Sequence, residues 1–144
     1  MVKSNAPITR TFESKKQKGA EVDLSTVFAN SVKKAVRTVI LDQKDHLEVI
    51  DRLETRDKEA TVSWIMVTPA EAKITGKNRI ELTKDGQRML LTADTGTEVE
   101  MKIWSNVPPH EYDFRNPGTI RVGFETVIPA NRASQLKVRL IPLK

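Results

Sequence analysis

From Glu21 onward the chain is a series of short runs in which apolar and polar residues alternate, each closed by a turn-forming cluster. Val22, Leu24 and Thr26 alternate with Glu21, Asp23 and Ser25, the period of two expected of a half-buried strand. Asn30 to Leu41 also offers Val32, Ala35, Val36 and Val39 at helical spacing, but the β-branched density of Val36, Thr38, Val39 and Ile40 predicts a strand. Asp42-Gln43-Lys44-Asp45 reads as a turn. Beyond it Leu47, Val49 and Asp51 lie on one face and Glu48, Ile50 and Arg52 on the other, which makes a hairpin. Asp51 thus shares a face with apolar residues, and Arg37 is a nearby cation to pair with it.

A charged turn at Thr55 to Lys58 leads to a run with two chemically different faces: Ala60, Val62, Trp64 and Met66 against Thr61, Ser63, Ile65 and Val67. Pro69 ends it, because proline has no N–H to give a ladder. Ile74 and Thr75 lead to Gly76, and Arg79 to Thr83 forms a further strand. Asp85-Gly86 carries the chain back through Met89 to Thr92, and Asp94-Thr95-Gly96 turns it again. Val99, Met101 and Ile103 alternate with Glu98, Glu100 and Lys102. Asn106 to Thr119 is irregular, and strands over Arg121 to Ile128 and Gln135 to Ile141 follow.

The pattern predicts an all-β protein of about ten short antiparallel strands stacked as a two-sheet β-sandwich. Residues 21–144 form the single domain. Residues 1–20 are polar, carry no sustained period, and read as a partly ordered N-terminal segment with Ile8 and Phe12 as its anchors. The 144 residues suffice for one packed core.

Composition narrows the chemistry. The absence of cysteine excludes a disulfide framework, thiolate catalysis and cysteine-ligated zinc. No apolar run approaches the length of a membrane-spanning helix. The net charge of +5 favours polyanionic partners. Lys15-Lys16-Gln17-Lys18 is the one dense cationic cluster and reads as a solvated loop. Aromatic residues are only 5% of the chain, too few for the stacking platforms of a nucleic-acid barrel, so no nucleic-acid partner is expected.

Candidate chemistry gathers after the Val99 strand. Pro108-Pro109-His110-Glu111-Tyr112-Asp113 offers an imidazole, a phenol and two carboxylates, with Arg115 and Asn116 just beyond. An eliminating lyase needs a base, an acid and a group that neutralises a substrate carboxylate, and these residue types suit those roles. The same residues equally suit an ordered surface loop with the Tyr112 ring packed on the sandwich. Residues two apart in a loop have no enforced geometry, so no catalytic residue is assigned. Trp104, His110, Tyr112, Arg115 and Asn116 stand as candidate glycan contacts. Trp64 alternates in register with Val62 and Met66 and belongs to the core. His46 among Asp42, Asp45, Glu48 and Asp51 lacks a second histidine and reads as a solvated turn, so no metal site is assigned.

The order of several segments resembles the C-terminal all-β domain of the heparinase II/III-like polysaccharide lyases. These are Glu21-Val22-Asp23-Leu24-Ser25, Ala35-Val36-Arg37, Leu47-Glu48-Val49-Ile50-Asp51 and Val62-Ser63-Trp64-Ile65-Met66-Val67-Thr68. Trp104-Ser105 and Asn116-Pro117-Gly118-Thr119-Ile120-Arg121-Val122-Gly123-Phe124 complete the set. The resemblance implies β-elimination on acidic polysaccharides such as heparan sulfate, other glycosaminoglycans or alginate. It also implies a periplasmic or secreted location and an upstream helical catalytic domain in the same polypeptide. In that family the helical domain supplies a catalytic tyrosine and an asparagine or histidine, and the early β region adds a histidine and metal ligands. Nothing here matches those motifs, so no catalytic residue, metal ligand or cofactor is carried over. The expectation is the structural or cleft-lining part of a larger lyase, inactive alone. The alternative is a stand-alone carbohydrate-binding module for anionic glycans.

Overall fold

The computed structural model describes residues 5–144. Eleven strands and no helix are present among the described residues, arranged as an all-β sandwich of two antiparallel sheets. In chain order they are β1 (Ile8–Glu13), β2 (Gln17–Asp23), β3 (Val32–Asp42), β4 (Leu47–Thr55), β5 (Ala60–Thr68), β6 (Glu71–Gly76), β7 (Arg79–Lys84), β8 (Gln87–Thr95), β9 (Val99–Ser105), β10 (Ile120–Ile128) and β11 (Ala133–Leu143). The larger sheet has eight strands in the order β1-β2-β3-β4-β11-β8-β7-β6; the smaller has three, β5-β10-β9.

The core lies between the sheets. Val49, Ile80, Leu82, Leu91, Ala93, Leu136, Val138 and Leu140 of the large sheet meet Trp64, Met101, Val122 and Phe124 of the small one. Alternation dictates this, since every second residue of these strands points inward. Trp64 and Phe124 are direct cross-strand partners, their rings parallel at 6.1 Å. Removing these side chains from water supplies the main driving force for closing the sandwich. Gly123, beside Phe124, is required sterically: a Cβ there would collide with the carbonyl oxygen of Trp64.

Several expectations change in detail. The Asn30 to Leu41 run is a strand, and its helix-like spacing has a cause. A register shift between Val32 and Lys34 places Val32 and Ala35, three residues apart, on the same buried side. The run expected at Glu21 to Thr26 instead begins at Gln17 and ends at Asp23. There the Asp23 carboxylate accepts the Ser25 N–H at 2.9 Å and starts a turn, while the Ser25 hydroxyl accepts the Ala35 N–H at 3.0 Å. Within 1–20, the stretch without a sustained period, β1 and the first residues of β2 are ordered, and β2 runs through positions 20 and 21 without a break. β1 pairs only with β2 and is largely exposed, so it needs no apolar alternation. Residues 1–4 lie outside the described residues. Asp85 and Gly86 both take positive φ, 50° and 75°, which closes the β7–β8 hairpin as expected.

Candidate functional site

β9 and β10 are antiparallel neighbours in the small sheet, and the 106–119 segment joins them at one end of the sandwich. Its base is pinned. The Arg121 guanidinium donates from Nε and Nη2 to the Ser105 carbonyl at 3.2 and 3.0 Å. The Asn106 amide donates to Thr119 Oγ1 at 2.6 Å, and that hydroxyl donates to the Asn116 carbonyl at 2.6 Å. The tip is tied more lightly. Asp113 N–H donates to the His110 carbonyl at 3.1 Å, and the Asp113 carboxylate accepts the His110 N–H at 3.2 Å.

The His110 and Tyr112 rings stack with centroids 5.0 Å apart and an interplanar angle of 8°. Tyr112 is 84% exposed and does not pack on the sandwich, which corrects the surface-loop expectation for its ring. The two rings meet across the tight turn closed by the Asp113 N–H. Phe114 is fully exposed beside them.

A depression of about 410 Å³ opens on this loop, with His110, Arg115 and Asn116 in its wall. Three of the five candidate contacts are therefore brought together. Tyr112 reaches the depression only through its stack on His110. Trp104 lies elsewhere, half-buried on the outer face of the small sheet, opposite Arg121 in the ladder. Arg121 in turn faces Val67, so Val67, Arg121 and Trp104 form one cross-strand row. Ile65 and Val67 are 45% and 48% exposed on that face. The arrangement offers a guanidinium, an amide and an imidazole to a polar ligand, with an aromatic ring on a neighbouring surface. Arg121 and Ser105, which anchor the loop, were not singled out from sequence; Arg121 standing in register beside the inward Val122 was the available signal.

His46 and Asp42 form a local network that closes the β3–β4 turn. The His46 imidazole lies 3.5 Å from the Asp42 carboxylate, which also accepts the backbone N–H groups of Lys44 and His46 at 2.7 and 3.0 Å. The His46 N–H is the main cause holding the Asp42 carboxyl below its usual range. Among the described residues, no group of three or more His, Asp and Glu side chains is placed to hold a metal ion. No described helix is long and apolar enough to cross a membrane.

No protein-family model matches the chain, and no curated protein matches it. Solved structures do. The chain is similar to heparinase III, with a TM-score of 0.71 at 12% identity over 96% of this chain and 21% of that one. It is also similar to a mutant of the heparan sulfate lyase HepC from Pedobacter heparinus, with a TM-score of 0.68 at 15% identity over 97% of this chain and 22% of the lyase. A third likeness is to the protein HI1317, with a TM-score of 0.61 at 8% identity, covering 96% of this chain and 65% of that one. The chain thus has the fold of a heparinase-like β domain and spans about a fifth of the heparinase III chain it matches.

Proposed function

We propose that the chain is the β-sandwich of a heparinase-like polysaccharide lyase that acts on acidic polysaccharides by β-elimination, and that it supports the catalytic domain or lines its cleft without performing the chemistry. The observation that carries this reading is the likeness to heparinase III along almost the whole chain, matched by only 21% of the heparinase. The remaining part of such an enzyme is the partner this reading requires, a helical catalytic domain upstream in the same polypeptide, and the location is periplasmic or secreted. The loop chemistry supports a non-catalytic role. An elimination needs a base and an acid held on either side of one substrate carbon, whereas the two suitable groups, His110 and Tyr112, are stacked on each other on an exposed loop.

The test is direct. The purified chain, incubated with heparan sulfate and with alginate, is expected to give no rise in the absorbance of the unsaturated product. A rise that scales with protein concentration would overturn the reading.

A second reading, a stand-alone module that binds anionic glycans, draws on the net charge of +5 and on the likeness to HI1317, a chain of which this fold makes up 65%. It predicts saturable, salt-sensitive binding of heparin or alginate over neutral glycans, weakened by Trp104→Ala or Arg115→Gln.

A further inference from the structure

We infer that an anion-binding groove lies at the opposite side of the molecule's chemistry from the 106–119 loop, where β11 begins beside the end of β4. Three depressions of about 530, 460 and 290 Å³ meet there and share Ala133 in their walls. The two larger are within the size range of a small-ligand site. Their walls carry Lys33, Lys34, Arg52, Arg56, Arg132 and Lys137 against Glu54, Asp57 and Asp94. That is six cations to three carboxylates.

Five of the six cations carry no ion pair among the described residues. Arg37, Arg88, Lys102 and Arg139 elsewhere on the sheets are ion-paired. Among the described residues no carboxylate lies within ion-pair distance of Lys33, Lys34, Arg52, Arg56 or Arg132. Lys34 and Glu54 are ladder partners but form no ion pair, whereas Lys137 pairs with Glu48 at 3.8 Å. Arg52 donates to the Thr38 hydroxyl and Arg56 to the Ala29 carbonyl, neither of which neutralises charge.

The groove is also built. Thr55 is buried, and its hydroxyl donates to the Pro129 carbonyl at 2.6 Å while accepting the Arg132 N–H at 3.0 Å. The Thr55 N–H donates to the Arg132 carbonyl at 2.9 Å, and the Asn131 N–H donates to the Arg56 carbonyl at 2.7 Å. Asn131 takes a positive φ of 53° to complete the turn. Arg132 therefore leaves a fixed backbone at the junction of two of the depressions, which sets where its side chain starts.

A row of cations over contiguous depressions suits a linear chain of spaced carboxylates or sulfates. No aromatic side chain lines any of the three depressions, so unstacked bases would find no platform. The ligand is an anionic polysaccharide segment. This rests on the acidic-polysaccharide reading of the lyase β-sandwich above, not on the Trp104 contact of the second reading, and assigns that ligand a contact surface distinct from the loop.

The experiment titrates the full chain with size-defined heparin fragments, neutral dextran and duplex DNA at several salt concentrations. Lys33→Gln/Arg132→Gln alters two cations, in the largest of the three depressions, whose side chains make no hydrogen bond or ion pair among the described residues, so the fold is retained. The charge-matched control is Lys15→Gln/Lys16→Gln. The groove variant is expected to weaken heparin binding roughly tenfold and to make its salt dependence shallower, while the control and Trp104→Ala leave it unchanged. Heparin binding that survives the groove variant but is lost in Trp104→Ala overturns the groove and leaves the glycan reading standing. Equal losses in groove variant and control reduce the effect to net charge and overturn it too. Tighter binding of duplex DNA than of heparin overturns the ligand assignment. Failure to bind any anionic glycan overturns the groove and removes the stand-alone binding reading.

Discussion

Arg37 and Asp51 are ladder partners on β3 and β4, joined by two hydrogen bonds on the core side of the large sheet: Nε to Oδ1 at 2.7 Å and Nη2 to Oδ2 at 2.9 Å. Asp51 is buried, whereas the Arg37 side chain keeps 39% of its surface in water. The pair therefore lies between the main core, to which Val49 belongs, and a smaller apolar cluster of Val32, Ala35 and Ala60.

Removing the carboxylate leaves a guanidinium against apolar neighbours. Asp51→Ala is expected to lower stability by about 2 kcal/mol, less than a fully buried pair because Arg37 turns to solvent. Arg37→Leu/Asp51→Leu is expected to recover much of that loss. Urea denaturation of the two variants decides it; equal destabilisation would show that packing and not charge sets the cost.

Gly123→Ala is expected to cost roughly 3 kcal/mol, since the added methyl meets the rigid Trp64 carbonyl and β5 and β10 must part. Gly96→Ala, with nothing within 4 Å of the new carbon, is expected to be neutral. Melting temperatures of the two variants, measured side by side, check the contrast.

Acid sensitivity follows from three carboxylates held below their usual range. The His46 N–H lowers Asp42, the Arg88 guanidinium lowers Glu81, and hydrogen bonding from Ser25 lowers Asp23. Because the folded-state values lie below the unfolded ones, their contribution is present above the unfolded value and is lost as pH falls through the folded one. Stability should be flat near neutrality and fall below about pH 4. Asp42→Asn should flatten part of that fall. An unchanged urea midpoint from pH 5 to pH 2.5 would contradict the assignment.

The two tryptophans should separate spectroscopically. Trp64 is 6% exposed with its Nε1–H unpartnered, whereas Trp104 is half-buried on the outer face. Trp104→Phe should leave a blue-shifted emission that acrylamide quenches poorly, and Trp64→Phe the reverse. Similar quenching of both variants would contradict the facing of β5 or β9.

The two faces of β5, the Asp85-Gly86 hairpin and the Arg37–Asp51 pair are all readable in the residues, because burial on one face forces alternation and tight turns force glycine. β1 and β6 are harder to read. Both are edge strands with little buried area, and Ile8–Glu13 and Glu71–Gly76 therefore carry no strict pattern. The candidate site is legible only as residue types. Sequence marks His110, Arg115 and Asn116 as chemically apt, but their shared depression depends on Arg121 and Thr119 anchoring the loop base. The Lys33 and Arg132 groove escapes a linear reading altogether, since its cations come from β3, β4, β11 and their connections and gather only through pairing.

β11 lies in the middle of the eight-stranded sheet, hydrogen-bonded to β4 on one side and β8 on the other. Two half-sheets, β1 to β4 and β6 to β8, consequently remain unjoined until a strand far downstream is inserted between them. Such high contact order places folding among the slow, all-β cases and exposes two sticky strand edges in the meantime. Shortening β11, even at surface positions, should harm yield and refolding more than equivalent trimming of β1.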